Sequence, residues 1–386
     1  MTDDAHAGGA GAERSTRPHE RRRGRTARRL DAVDAAGLVA FPSRNLEYLT
    51  GFAEEPGERH FFLVVPAAGA ADPEPALIVP ALYETQVREA TTVSEVRTWA
   101  DGEDPVAATR ELLADRGLDG GRLLVDDTMW ARFSQDLRAA APDATWGLAS
   151  EALADLRVRK DEAEVAALRK AAGVADAVVG DLRELGPDAV GMTEAALAEW
   201  IADRLAERGG RGVSFETVVA AGENGAKPHH GHGDREIRAG EPVVLDFGTR
   251  VDGYPSDQTR TLAFGGEPSE AYREVHEVVR EAQAAGVEAV EPGVPASAVD
   301  RAARDAIEAA GYGDAFVHRT GHGVGLDVHE EPYLVAGNDR ALEPGMVCSV
   351  EPGIYLDGRF GCRIEDLVVV TEDGCERLNR TDRGWE

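Results

Sequence analysis

The sequence predicts two domains of different fold class, an α/β domain followed by an α+β domain built from a duplicated helix–helix–hairpin unit. Three observations support this prediction. The chain has 386 residues, which is enough for two hydrophobic cores. Apolar β-prone runs alternate with helical patterns up to about residue 150. Beyond that point, two helices followed by an acidic hairpin occur twice.

The first part of the chain divides into a tail and an α/β domain. Residues 1–18 are rich in Gly, Ala and polar side chains, so we expect a disordered tail. The α/β domain is assigned to residues 19–155. Its expected strands are LVAF, HFFLVVP, PALIVP and RLLVDD, and its expected helices are LYETQVREA, DPVAATRELLADRG and MWARFSQDLRAAAP. The arginine run at 21–29 lacks interleaved aromatic residues, so we interpret it as the solvated face of a helix rather than a nucleic-acid patch.

Residues 156–386 are assigned to the second domain, in which similar features recur at a near-constant offset. Gly191 and Gly293, which follow the first helix of each unit, are 102 residues apart. The acidic residues of the two hairpins are 105 and 108 residues apart. We therefore expect two related halves that face each other across a pseudo-twofold axis, each contributing one hairpin to a shared cleft. A chance recurrence of this common order of elements is the alternative.

The first hairpin carries two acidic residues, Asp246 and Asp257, on either side of Asp252-Gly253. Asp-Gly between β-prone runs is a strong hairpin signal. Residues equidistant from a turn face each other with their Cβ atoms about 5 Å apart. We therefore expect these two carboxylates to lie opposite each other.

The second hairpin repeats this arrangement with Glu351 and Glu365, whose midpoint is Gly358 in Asp357-Gly358. Like charges directly opposite each other destabilise a sheet, so two such pairs predict a bound cation. The simpler interpretation is two hairpins with solvated acids on their outer faces, and the histidines argue against it.

Four of the ten histidines lie in informative positions. His322 is flanked by glycines in TGHGVG, which lets another group approach its ring closely. His318 lies four residues before it and His329 seven residues after it, while His229 lies in AKPHHGHGD, about one strand before Asp246. A single histidine is more often a core or surface residue. One bracketed by glycines, beside four paired carboxylates, is predicted to be a ligand.

These motifs resemble those of the pita-bread metallopeptidases, which include methionine aminopeptidase, aminopeptidase P and prolidase. The resemblance rests on PHH, LDFG, DGYPSDQTRT, HRTGHGVGLDVHEEP, VEPGIY and GCRIED, and it extends from about residue 30 onward. RNLEYLTGF, at 44–52, resembles the N-terminal domain that aminopeptidase P and prolidase carry and methionine aminopeptidase lacks. The resemblance implies an α/β N-terminal domain, a pita-bread catalytic domain and a homodimer.

The resemblance also implies a site for two divalent metal ions. Asp257 and Glu365 would bridge them, with Asp246 completing one ion and His322 and Glu351 the other. Four carboxylates and one imidazole are hard ligands, which favour Mn²⁺, or Co²⁺ or Fe²⁺, over the thiolate-rich and multi-histidine sites typical of zinc.

The mechanism implied by the resemblance is attack of a metal-bridging hydroxide on the scissile carbonyl. Glu351 would carry the proton to the leaving nitrogen, and His229 and His329 would hydrogen-bond the carbonyl oxygen and the tetrahedral intermediate. His230 and His232 lie beside His229, and only the Pro-His pattern selects His229 among the three.

Two further residues indicate the substrate. In the proline-specific relatives, a histidine four residues before the metal histidine and an arginine two before the bridging glutamate help to shape the proline pocket. Here they are His318 and Arg363. Without that role, they would be a capped loop histidine and an arginine paired with the acid cluster.

The main functional hypothesis is therefore an Xaa-Pro hydrolase, either a prolidase-like dipeptidase or an aminopeptidase P-like enzyme, acting on small peptides. One alternative is another C–N hydrolase on the same scaffold with a compatible-solute substrate, such as an ectoine derivative. Creatinase-like enzymes use the fold without metal but lack the full ligand set. A non-catalytic binding protein would have eroded ligands, whereas all five ligand positions are filled here.

Composition bounds the partners and the location. The net charge of −29 repels nucleic acid and anionic membranes, and no apolar run approaches the roughly 20 residues of a membrane span. Three cysteines without CxxC spacing predict free thiols, and no apolar segment follows the N-terminal arginines. We therefore expect a cytoplasmic protein. The composition, with 71 acidic residues and only three lysines, resembles that of halophile proteins, although a high-GC genome would also replace Lys by Arg.

The acidic composition predicts a requirement for molar salt, because unscreened repulsion between carboxylates destabilises the compact state. We expect both the melting temperature and the hydrolytic activity to rise between low and molar KCl. Equal values of both at the two salt concentrations would contradict the prediction.

Overall fold

The structure is a computed structural model that describes the backbone from Gly9 to Glu386 and the side chains from residue 18 onward. The chain divides into two compact units, with the boundary between Arg157 and Val158. The predicted disordered tail over 1–18 lies outside the described residues as far as residue 8, and the first helix begins at Gly9. Among the described helices, none is both long and apolar enough to cross a membrane.

The first unit is a six-stranded mixed sheet with helices packed against it. Its elements are α1 (Gly9–Ala32), β1 (Gly37–Ala40), α2 (Arg44–Thr50), β2 (Phe62–Pro66), β3 (Ala76–Pro80), α3 (Glu84–Ala90), β4 (Glu95–Trp99), α4 (Pro105–Asp115), β5 (Gly120–Val125), α5 (Ala131–Ala140), β6 (Asp143–Leu148) and α6 (Ser150–Arg157). The strand order is β4-β3-β2-β1-β5-β6. The four expected strands are β1, β2, β3 and β5; the sequence interpretation missed β4 and β6, the two edge strands.

The arginine run at 21–29 does lie on a helix, α1, but its interpretation as a solvated face is wrong for two members. Arg22 and Arg23 are buried. Arg23 Nη1 donates to the carbonyl oxygen of Leu49 at 2.7 Å, and Arg22 stacks over the ring of Tyr48. Because Leu49 is in the last turn of α2, its carbonyl has no partner within that helix, and a cation satisfies it well.

The second unit contains a three-stranded sheet, a five-stranded sheet and two short two-stranded sheets, together with two pairs of helices. Its elements are α7 (Glu162–Leu185), α8 (Glu194–Glu207), β7 (Val218–Ala221), β8 (Pro242–Phe247), β9 (Arg250–Val251), β10 (Tyr254–Pro255), β11 (Gln258–Ala263), α9 (Glu270–Glu288), α10 (Ala296–Ala309), β12 (Gly321–Gly323), β13 (Glu330–Leu334), β14 (Val347–Val350), β15 (Gly353–Leu356), β16 (Phe360–Arg363), β17 (Asp366–Val370) and β18 (Cys375–Arg377). Asp161 and Glu164 form a capping box that fixes the start of α7.

The predicted duplication is visible in the strand order of this unit. One half has the sheet β7-β8-β11, and the other contains the corresponding run β12-β14-β17, flanked by β13 and β18. The backbone conformation just before the second helix is also the same in the two halves. Gly191 donates to the carbonyl of Ile237 at 2.9 Å, and Gly293 donates to that of Leu342 at 2.7 Å. Both glycines have positive φ values, 89° and 85°.

The first acidic hairpin has the predicted turn but a different register. Asp252 and Gly253 both have positive φ, as a type I′ turn requires. Asp246 pairs with Thr259, not with Asp257, so the expectation of directly opposed carboxylates is wrong by two residues. The centre of the turn lies between Asp252 and Gly253, one residue beyond the midpoint of the acidic pair. Because side chains alternate with a period of two, this shift leaves both carboxylates on the same face.

The second acidic hairpin has the predicted register. Val350 pairs with Asp366, and Gly353 pairs with Arg363. Both pairs belong to one continuous register, which brings Glu351 opposite Glu365. A three-residue connection that contains Gly358 joins β15 to β16.

Candidate metal centre

All the site residues predicted from the sequence line one cavity of about 570 Å³ in the second unit. The carboxylates lie at strand ends: Asp246 in β8, Asp257 just before β11, Glu351 just after β14 and Glu365 just before β17. His322 lies in the middle of the short strand β12. The other predicted site residues lining the cavity are His229, His318, His329 and Arg363.

Three of these side chains are close enough to share one metal ion. Asp257, His322 and Glu365 are buried, and each offers a ligand atom within 4.8 Å of the others. His322 Nε2 also lies 3.6 Å from Asp257 Oδ2 and 3.2 Å from Glu351 Oε1. An imidazole nitrogen among carboxylate oxygens is a common donor set for a divalent transition metal.

The electrostatics of the cluster indicate that a cation belongs there. Burial, together with repulsion from the neighbouring carboxylates, raises the pKa of Asp257 and of Glu365 well above the usual range. Asp246 Oδ1 and Glu365 Oε1 are buried and have no hydrogen-bond partner in the described part of the chain. Such atoms are costly unless something else satisfies them. The residues present therefore fit a divalent metal.

Glu351 differs from the other carboxylates of the cluster. Burial acts to raise its pKa, but the hydrogen bond and the charge of His322 outweigh that effect and lower the pKa to about 2. Ser349 Oγ also donates to Glu351 Oε1, at 3.1 Å. Glu351 is therefore the most firmly ionised carboxylate of the cluster.

Arg363 binds the second oxygen of Asp246, with its Nη2 at 2.5 Å from Oδ2. Its Nε donates to Thr259 Oγ1 at 3.0 Å, and its Nη1 donates to the hydroxyl of Tyr355 at 3.0 Å. Thr259 Oγ1 in turn donates to Glu365 Oε2 at 2.7 Å. Arg363 thus lines the cavity and also pairs with the acid cluster, and its part in a proline pocket stays a prediction.

Tyr355, which the sequence interpretation missed, connects Arg363 to His318. Its hydroxyl lies 2.9 Å from His318 Nε2, while His318 Nδ1 lies 2.7 Å from the carbonyl oxygen of Arg319. Burial lowers the pKa of His318 and raises that of Tyr355 to about 12, so both are neutral near pH 7. Tyr355 follows Glu351 in VEPGIY, where nothing in the residue pattern distinguishes it from a core tyrosine.

The other histidines near the site differ in their contacts. The ring of His329 lies 4.2 Å from that of His322. Burial together with the charge of His322 lowers the pKa of His329 to about 4. His230 Nε2 lies 2.8 Å from Glu194, and His232 Nδ1 lies 2.9 Å from the carbonyl oxygen of Thr217. His229 lines the cavity, and the choice of His229 as the substrate contact stays a prediction.

Several residues that line the cavity were not identified from the sequence. They are Phe215, Glu216, Val218, Arg319 and Val328. Phe215, Glu216 and Val218 belong to the start of β7 or the segment before it, which only the folded chain brings to the site, whereas Arg319 and Val328 adjoin His318 and His329 in sequence. Phe215, Val218 and Val328 add apolar surface to the cavity lining.

A carboxylate and histidine cluster held between two duplicated halves defines a pita-bread hydrolase that requires metal. The chain belongs to metallopeptidase family M24, which residues 166–372 match. Residues 22–159 match the Creatinase/Prolidase N-terminal domain. The sequence-based assignment of family and fold class is thereby confirmed. The peptidase activity of this family depends on divalent metal.

Particular relatives are similar over most of their length. A protein named probable dipeptidase PepE from Mycobacterium tuberculosis is 44% identical over 349 residues, which cover 89% of this chain and 90% of the relative. A protein named Xaa-Pro dipeptidase from Lactobacillus helveticus is 39% identical, with 91% and 95% covered. The crystal structure of a recombinant prolidase from Thermococcus sibiricus superposes with a TM-score of 0.89 at 39% identity, covering 95% of this chain and 98% of that one.

Asp257→Asn tests the metal centre, because it removes one anionic ligand while keeping the shape of the side chain. We expect the Mn²⁺ retained after dialysis, measured by mass spectrometry, to fall about 10-fold or more. Asp252→Asn is the matched control, since Asp252 lies on the same hairpin with a 62% exposed side chain. Equal Mn²⁺ content in Asp257→Asn and Asp252→Asn would contradict the assignment.

Proposed function

We propose that this chain is an Xaa-Pro dipeptidase that hydrolyses the bond between an amino acid and a C-terminal proline. The observation that carries the proposal is the single cavity in which the carboxylate cluster adjoins the hydrogen-bonded trio His318, Tyr355 and Arg363. The names of the relatives from Lactobacillus helveticus and Thermococcus sibiricus support the same substrate class. The name dipeptidase, shared by the relative from Mycobacterium tuberculosis, favours dipeptides over longer peptides.

The metals would be held by Asp246, Asp257, His322, Glu351 and Glu365. The oxygen-rich donor set favours Mn²⁺, with Co²⁺ and Fe²⁺ as alternatives. Bound divalent ions would supply a nucleophilic hydroxide near neutral pH and would polarise the scissile carbonyl. Arg363 and Thr259 hold Asp246 and Glu365 by one oxygen each, and so leave the unpartnered oxygens of both residues for metal.

The chain's own residues would then handle protons and the developing charge. Glu351 is ionised and hydrogen-bonded to Ser349, so it is an oriented acceptor that could take a proton from the attacking water and pass it to the departing proline nitrogen. His329 is neutral near pH 7, because its pKa is about 4. A neutral imidazole can donate a hydrogen bond to a carbonyl oxygen as negative charge develops on it. His229 is proposed to contact the substrate carbonyl in the same way.

The trio of His318, Tyr355 and Arg363 is proposed to form one side of the proline pocket. The ring of His318 lies edge-on to Phe316, with centroids 5.1 Å apart, and 5.4 Å from the ring of Tyr355. Its two nitrogens are both engaged, so the ring presents an aromatic surface to the cavity rather than a charge. A pyrrolidine ring needs such a surface, because it has no N–H to donate.

Four finer features of the protein belong to the same proposal. We propose a homodimer and a salt-dependent enzyme, on the resemblance to the family and on the net charge of −29. We also propose a cytoplasmic location, since Cys348, Cys362 and Cys375 are free thiols of the kind a reducing compartment maintains. The substrate is a small peptide, and nucleic acid is not a proposed partner, because the acidic charge would repel it.

The substrate proposal is tested by assaying the Mn²⁺-loaded protein in high salt against Ala-Pro, Gly-Pro, a longer Xaa-Pro peptide and acetylated diaminobutyrate. We expect turnover of the two dipeptides, with the longer peptide cleaved more slowly. Hydrolysis of acetylated diaminobutyrate without cleavage of any Xaa-Pro bond would contradict the proposal and favour the compatible-solute alternative.

His329→Ala separates charge stabilisation from metal binding. We expect kcat for Ala-Pro to fall about 100-fold, the usual effect of removing one hydrogen-bond donor from an oxyanion site, with the metal content unchanged. His322→Ala is the comparison variant, and it should lose metal. If His329→Ala loses metal as His322→Ala does, the division between ligands and stabilising residues is wrong.

A further inference from the structure

Glu194 is a buried carboxylate outside the metal centre, and it accepts four hydrogen bonds. It begins α8 and is 0% exposed. Its Oε1 accepts from the amide of Ala221 at 2.9 Å and from the side chain of Asn224 at 3.0 Å. Its Oε2 lies 2.8 Å from His230 Nε2 and accepts from the amide of Gly233 at 3.3 Å. All four partners lie in one segment of chain, residues 221–233.

The helix itself does not require this carboxylate. Thr193 is already the N-cap of α8, since its side chain accepts from the amide of Ala196. In the other half of the duplication, the residue equivalent to Glu194 is Ala296. The amide of Ala296 donates to the carbonyl of Arg340, just as the amide of Glu194 donates to the carbonyl of Arg235. An alanine therefore suffices for the same local fold, and the buried glutamate has another role.

Glu194 is ionised despite its burial. Burial acts to raise its pKa, but hydrogen bonds from the amide of Ala221, from Asn224 and from His230 outweigh this effect, and the pKa is lowered. Bonds to an ionised acceptor are roughly twice as strong as bonds between neutral groups. Such an acceptor can hold an irregular segment of chain in one conformation.

The segment that Glu194 holds carries His229. His229 lies between Asn224 and His230, two of the partners, and both His229 and His230 line the cavity. In addition, Arg363 Nη1 donates to the carbonyl of Pro228 at 3.3 Å. The residue before His229 is therefore fixed by the arginine of the acid cluster, and the residue after it by Glu194.

We propose that Glu194 is a positioning residue that, through His230 and Asn224, holds His229 against the carboxylate cluster. The proposal rests on the proposed function, in which His229 contacts the substrate carbonyl. Glu194 touches neither substrate nor metal in this scheme. Its loss should therefore act on turnover through His229 and leave the metal ligands unchanged.

A double-mutant cycle on Ala-Pro hydrolysis by the full-length, Mn²⁺-loaded protein tests this coupling. Glu194→Gln keeps the size of the side chain but loses the charge and one acceptor. We expect it to lower kcat about 10-fold or more, with a smaller change in KM, because displacements near 1 Å cost up to about 100-fold. In the His229→Ala background, the same substitution should lower kcat less than about 2-fold, because its target is gone.

Two further measurements separate positioning from a general loss of stability. Hydrogen–deuterium exchange over residues 221–233 should accelerate in Glu194→Gln, while the Mn²⁺ content stays at the wild-type level. Asp126→Asn is the matched control. Asp126 is also buried and accepts from the amide of Phe41, from Ser43 and from Asn45, but it lies in the first unit. It should lower the melting temperature and leave kcat unchanged.

An equal loss of kcat in the wild-type and His229→Ala backgrounds, or unchanged exchange over residues 221–233, would overturn the proposal. Loss of Mn²⁺ from Glu194→Gln would overturn it as well. If the wild-type protein does not hydrolyse Ala-Pro, the proposed function fails, and the exchange measurement still decides whether Glu194 holds the segment.

Discussion

The structure of the second unit depends on one constraint, the presence of four carboxylates around the same cavity. Without a compensating positive charge, these carboxylates would bind protons or move apart, because burial and mutual repulsion both disfavour the ionised forms. Arg363 and His322 offset part of the charge through Asp246 and Glu351. The pKa values of Asp257 and Glu365 nevertheless stay raised, so a further positive charge at this place would stabilise their ionised forms.

The scaffold around the cluster is organised to keep these oxygens in place without neutralising them. The two duplicated halves meet where β11 and the start of β17 are joined by hydrogen bonds. Arg260, 1% exposed, donates to the carbonyl of Glu365 at 2.6 Å and to Asp366 at 2.7 Å. Thr259 bonds Glu365 through both its carbonyl and its hydroxyl. A carboxylate held by main chain and side chain together has little freedom to move away from repulsion, as a preorganised metal site would require.

Much of this arrangement could be predicted from residue spacing, because hairpin geometry is local. The register that opposes Glu351 and Glu365 follows from the position of Gly358 midway between them. The same reasoning misplaced Asp257 by two residues relative to Asp246, because the two-residue turn at Asp252-Gly253 is not centred between them. The error did not change the predicted site, since a shift of two residues preserves the face of a strand.

The sequence by itself determined the two fold classes, the duplication and the ligand-type residues, because each leaves a periodic or spaced pattern along the chain. Only the tertiary structure decided how those residues are supported. Tyr355 joins His318 to Arg363, and Glu194 joins α8 to the segment that carries His229. Neither role has a sequence pattern, since a buried polar side chain is defined by partners that lie distant in sequence. Such partners meet only when the core that excludes water has formed, and burial is what makes their hydrogen bonds necessary.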